Sequence, residues 1–162
     1  MRCVASIFGL FLTLSSSVSA VPRTITQLIP IWGFRYQVVT VQNTGINDQI
    51  VEVLYTVNGT GVSFDTTTTT SGNTLISHSL MSCASSTSCK GSQTLPPKGM
   101  MITGVVLVAE WTSSSSPTDG IYVTISARNA AGGSSGSIQA SGFSEGSSGN
   151  YVPFLVQSGH AF

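Results

Sequence analysis

Gln49-Ile50-Val51-Glu52-Val53-Leu54-Tyr55-Thr56-Val57, followed directly by Asn58-Gly59, decides the fold class. Val51, Val53, Tyr55 and Val57 recur at every second position, so an extended chain puts them all on one face. Valine and tyrosine also favour a pleated, half-buried surface. Asn58 and Gly59 both tolerate positive φ, and Asn-Gly after an alternating run predicts a tight hairpin.

The same rhythm extends in both directions. Phe34–Gln42 reads as a strand closed by the turn residues Asn43-Thr44-Gly45. Val62–Thr70 and Thr74–Met81 read as two more, split by Ser71-Gly72-Asn73, and the Thr66–Thr70 run fits an exposed strand because threonine is β-branched yet polar. Met100–Trp111 is apolar on both parities, which predicts a central strand buried on both sides. Ile121–Arg128 alternates cleanly: Ile121, Val123, Ile125 and Ala127 should face a core, with Tyr122, Thr124, Ser126 and Arg128 outside. Gly136–Ser141 and Asn150–Gln157 complete the set. Ser113–Gly120, Asn129–Ser135 and Ser144–Gly149 read as loops. No long segment carries a helical repeat. About eight short strands at hairpin spacing predict an all-β, single-domain antiparallel β-sandwich, with a small β-barrel as the alternative.

The first twenty residues stand apart. Arg2 supplies a short positive segment, Cys3–Leu14 an apolar one, and Val18-Ser19-Ala20 the small residues of a signal-peptidase site. We therefore expect residues 1–20 to be a secretory signal peptide and residues 21–162 to form the domain. Cleavage near Ala20 implies a secreted, extracellular or cell-envelope protein. Later apolar runs are too short for a helical membrane span.

The chain holds six basic and six acidic residues, 7% charged in all. Losing Arg2 would leave five against six. No Lys/Arg cluster offers the counterion displacement that nucleic acid requires, and no polybasic run suits anionic lipid. The surface must be built of Ser, Thr, Asn, Gln and Gly. Two cysteines follow the signal, Cys83 and Cys89, and export makes a disulfide between them the expectation. A metal site lacks a second Cys or His pair, and no cofactor motif is present.

Catalytic patterns are thin. Gly132-Gly133-Ser134-Ser135-Gly136 and Gly142-Phe143-Ser144-Glu145-Gly146 both match the nucleophile pattern of serine hydrolases, but neither precedes a helical segment. His78 or His160 with Asp48, Asp65 or Asp119 would have to complete a triad, and nothing in the sequence brings them together. Glu52 and Glu110 lie within apolar strands; Glu110, beside Trp111, is the best single acid. We expect no enzyme. Asn58-Gly59-Thr60 is an N-glycosylation sequon at the expected turn. Trp32, Trp111 and Tyr122 are candidates for stacking on a sugar face.

At the C-terminal end Val152, Phe154, Val156 and Phe162 share a parity. A last strand ending in Phe resembles the closing strand of bacterial outer-membrane barrels, and an alternating terminal strand also resembles that of fimbrial subunits. Those resemblances imply, respectively, a small outer-membrane barrel and assembly by strand addition. The expectation with the widest support is a secreted or cell-surface, structural or adhesive protein that acts by protein–protein or surface binding, self-association included. A carbohydrate-binding module is the alternative.

Overall fold

The computed structural model describes residues 23–30, 35–59, 62–71, 81–108, 120–132, 136–146, 149 and 151–157. Two strands dictated by alternation form its centre. In β3 (Gln49–Asn58) Val51, Val53 and Tyr55 are fully enclosed, and in β7 (Gly120–Asn129) Ile121, Val123, Ile125 and Ala127 are too. The two pair antiparallel without interruption from Gln49 opposite Asn129 to Asn58 opposite Gly120. One face of the pair is therefore a continuous apolar surface that has to be covered.

The remaining strands are β1 (Arg23–Pro30), β2 (Tyr36–Asn43), β4 (Met81–Ser85), β5 (Ser88–Leu95), β6 (Met100–Val106), β8 (Ile138–Glu145) and β9 (Tyr151–Gln157). They complete a five-stranded sheet in the order β1-β7-β3-β5-β4 and a four-stranded sheet in the order β6-β2-β8-β9. All pairings are antiparallel. The sheets pack face to face as a sandwich and are not closed into a barrel, so the barrel alternative is set aside. One core joins them: Val39, Val41, Met101, Val105, Ile138 and Ala140 of the smaller sheet meet Val51, Val53, Tyr55, Leu95, Val123 and Ile125 of the larger. Tyr55 ties the layers with its hydroxyl, 3.0 Å from Thr103 Oγ1 and 3.3 Å from the Thr103 carbonyl. Complete burial pushes that hydroxyl's pKa well up, keeping it a neutral donor.

Several expectations need correction. The Thr66–Thr70 run is not a strand but lies in a short helix, α1 (Thr66–Ser71). The cause is Asp65. Its Oδ1 accepts the Thr68 amide at 3.0 Å and its Oδ2 the Thr68 hydroxyl at 2.7 Å, an N-cap that outweighs threonine's β preference. Asn58-Gly59 does turn the chain, with Gly59 at φ 117°, yet makes no hairpin. The chain instead crosses to the other layer, where Phe64 bridges Leu107. β6 is buried on both faces around Val105 and Val106 as expected, but it is an edge strand, not a central one.

β1, β4 and β5 were not legible as strands. β4 and β5 form the hairpin that carries the cysteines. Cys83 and Cys89 are a directly opposed pair, bonded with their Cα atoms 3.9 Å apart. Gly91 of β5 faces the core, where an added Cβ would lie 2.9 to 3.1 Å from the Met81, Thr103 and Met101 side chains, so any larger residue there forces those side chains to shift. The expected strand Thr74–Met81 lies outside the described residues except for Met81. The expected loop Ser113–Gly120 does too except for Gly120, and Ser144–Gly149 still belongs to β8 through Glu145.

Candidate functional site

Each sheet has two edges, and the sandwich treats its two lateral sides differently. On one side β4 lies against β6, and α1 packs on both. Residues 63–69 also take up backbone groups at the Val106 end of β6 and just past it. The Val106 amide donates to Thr69 Oγ1 at 3.0 Å, the Asp65 amide to the Val106 carbonyl at 2.8 Å, and the Val108 amide to the Ser63 carbonyl at 3.0 Å. On the other side stand β1 and β9, the first and last strands. Each has one hydrogen-bonded neighbour among the described residues, β7 for β1 and β8 for β9. An edge strand presents a row of backbone donors and acceptors to whatever comes next.

The two open edges are unequal. β9 carries Pro153 and a register shift opposite Gly142–Phe143, features that spoil further pairing. β1 pairs with β7 through all eight of its residues without a shift, and its interior Thr24–Ile29 contains no charge, glycine or proline. Thr26 is exposed and its hydroxyl lies 3.1 Å from that of Thr124.

A second feature lies on the outer face of the smaller sheet. Register places Val106, Tyr36, Glu145 and Tyr151 in one row across β6, β2, β8 and β9. Glu145 is 6% exposed, and its Oε2 has no hydrogen-bond partner. The Glu145 carboxylate, near the Tyr151 hydroxyl, raises the phenol's pKa. Phe143, one row along, meets Tyr151 edge to face with ring centres 5.7 Å apart. The Arg35 guanidinium lies 5.9 Å from the Tyr36 ring centre, and its Nε donates to the Leu107 carbonyl at 3.4 Å. Sequence reasoning missed this group because it exists only in the register of separate strands.

The residues singled out from sequence are dispersed. Ser144 sits within β8, 2% exposed, and its hydroxyl donates to Gln37 Oε1 directly across on β2. That is a strand interior, not the strand–turn–helix elbow of a serine hydrolase. Asp65 is committed to the α1 cap, and its hydrogen bonds from Thr68 hold its carboxyl below the usual range. Asp48 is exposed, and its carbonyl accepts the Ala130 amide at 2.9 Å. Glu52 faces outward and pairs with Lys90 at 2.6 Å. Asn58, half-buried and engaged with a partner, ends β3. Tyr122 projects from the outer face of the larger sheet, 39% exposed. Trp32, Trp111, Ser134, His78, His160, Glu110 and Asp119, with the expected signal peptide and Thr60 of the sequon, lie outside the described residues. Among the described residues no three His, Cys, Asp or Glu side chains group as metal ligands, and no helix is long and apolar enough to cross a membrane.

The described residues form an open antiparallel β-sandwich in which one side is capped by α1 and the other, among those residues, carries no covering element. No family model, no curated protein and no solved structure matches the chain.

Proposed function

We propose that this chain is an exported, non-enzymatic protein of the cell surface or extracellular space, a structural or adhesive building block that works by protein–protein contact. The supporting observation is the difference between its lateral sides: the Val106 end of β6 is capped by the α1 segment, whereas β1 and β9 end their sheets with no further strand among the described residues. Addition of a strand from a second copy satisfies such an edge and extends the sheet. Low charge assists this, because five basic against six acidic residues after loss of Arg2 leave almost no net repulsion between copies. The apparent signal peptide supports export, and the disulfide suits an oxidising compartment.

Sedimentation velocity on the secreted protein tests the reading. The expected result is a dimer or larger assembly that grows with concentration and persists without detergent. A strict monomer up to high micromolar concentration, which also binds no cell surface, overturns it.

A further inference from the structure

The Tyr36–Glu145–Tyr151 row poses a problem that the fold itself does not solve. A glutamate only 6% exposed, with Oε2 buried, needs an ion pair or a full set of donors, because a buried charge without them is costly. Glu145 has the Tyr151 hydroxyl near its carboxylate and no hydrogen-bond partner on Oε2. The ion pair found among the described residues is Lys90–Glu52, on the other sheet. Arg35 is near in sequence register, its amide donating to the Glu145 carbonyl at 2.9 Å, but its guanidinium is turned onto Tyr36 and the Leu107 carbonyl. Evolution tolerates such a residue where it serves binding rather than stability.

The surroundings narrow the chemistry. Register puts Tyr36 and Tyr151 directly across from Glu145 on the two flanking strands, Phe143 lies two residues before it on β8, and the Tyr36 ring already has a cation over its face. Aromatic faces beside an unpaired carboxylate attract organic cations: the rings supply cation–π attraction and the carboxylate supplies charge and acceptors. A neutral sugar would satisfy the acceptor but leave the charge. Tyr151 is 59% exposed, so its hydroxyl is the donor that an incoming group displaces.

We propose that Glu145, flanked by Tyr36 and Tyr151, is a binding site for a primary alkylammonium group, the chemistry of a lysine side chain or a polyamine. The site reaches β9 through Tyr151 but does not involve β1, so Glu145→Gln, which removes the carboxylate, and Thr26→Lys, which charges the β1 edge, let either proposal fail without the other.

The test is an amide chemical-shift titration of the folded protein with n-butylammonium chloride, beside n-butanol and methyl β-glucoside at equal concentration. Saturable shifts confined to Tyr36, Glu145, Tyr151 and their neighbours are expected with the ammonium alone. Glu145→Gln should weaken binding at least about tenfold. Tyr151→Phe, which keeps the ring and removes the competing hydroxyl, should bind as well as the parent or better, whereas Tyr151→Ala should weaken it. Lysine amide and spermidine then separate a partner's side chain from a free polyamine. Shifts with butanol equal to those with the ammonium overturn the assignment, as does preference for the glucoside. So does a silent titration with Glu145 paired to Arg35 in solution. Unchanged binding in Glu145→Gln, with its fold verified by the same spectra, overturns it as well.

Discussion

Along the β4/β6 side of the sandwich, backbone groups are consumed, the sheets are brought close at Gly91, and a disulfide lies on the strand beside them. Along the β1/β9 side the same kinds of strand end without cover among the described residues. Strand chemistry does not separate them, since all four edges are short and poor in charge. What separates them is the segment 62–71, which leaves β3, inserts Phe64 between the layers and places α1 over β6. Sealing an edge takes an added element with matching donors and acceptors, and among the described residues only the β4/β6 side has one, at Val106. Stability should therefore concentrate on the sealed side and partner binding on the open one.

The comparison can be broken most easily at Phe64. It is 2% exposed and bridges Leu107, so it plugs the crossing point of the two layers. Phe64→Ala should cost roughly 3–5 kcal/mol, through lost burial and the cavity left behind. Denaturant unfolding measures it; a loss below about 1 kcal/mol would mean that the sealed side is not where the fold is held. Next in size is the disulfide. Replacing Cys83 and Cys89 with alanine frees a short loop from the unfolded state's constraint and should cost about 2 kcal/mol, seen as a lower Tm than the parent and matched by reduction of the parent.

The α1 cap comes third. Asp65→Ala removes both bonds to Thr68 and should cost about 1 kcal/mol. Its sign with pH is fixed. Those bonds hold the folded-state pKa below the unfolded one, so the contribution is present above the ordinary carboxylate range and is lost as pH falls through the folded value. The parent and Asp65→Ala should therefore converge in stability as the solution is acidified below about pH 4. A difference that stays constant through that range would separate the cap from the carboxylate's charge.

How far this division could be read in advance follows from where the signal resides. β3 and β7 were legible because Val51, Val53, Tyr55 and Ile121, Val123, Ile125 alternate within single strands. α1 was not, because threonine's preference pointed one way and one aspartate's hydrogen bonds the other. β5 was not, because its inward positions are Cys89, Gly91 and Leu95, and the glycine at the tightest of them carries no hydrophobic signal. β6 read as central because burial on both faces was taken for a place inside a sheet. A covering segment from elsewhere in the chain produces the same pattern. The uncovered side and the Glu145 row both depend on which strands become neighbours, and alternation within one strand does not specify that.

The smallest effect on stability belongs to the open side and should carry the largest effect on assembly. Thr26 is exposed on β1 and contributes one hydroxyl contact with Thr124, so Thr26→Lys should change stability by less than about 0.5 kcal/mol. Lysine is also a residue with which natural sheets guard their edges, and two copies meeting along β1 would bring like charges together. Assembly of the parent should therefore weaken on this change, and recover in part as added salt screens the repulsion. Val152→Lys on β9 is the matched control. β9 is already interrupted by Pro153 and its register shift, so the same charge there should matter less. If Val152→Lys dissolves the assembly and Thr26→Lys does not, the working edge is β9 and β1 is merely uncovered. If neither does while the parent still assembles, contact runs through a sheet face, and Tyr122 on the larger sheet is the next residue to change.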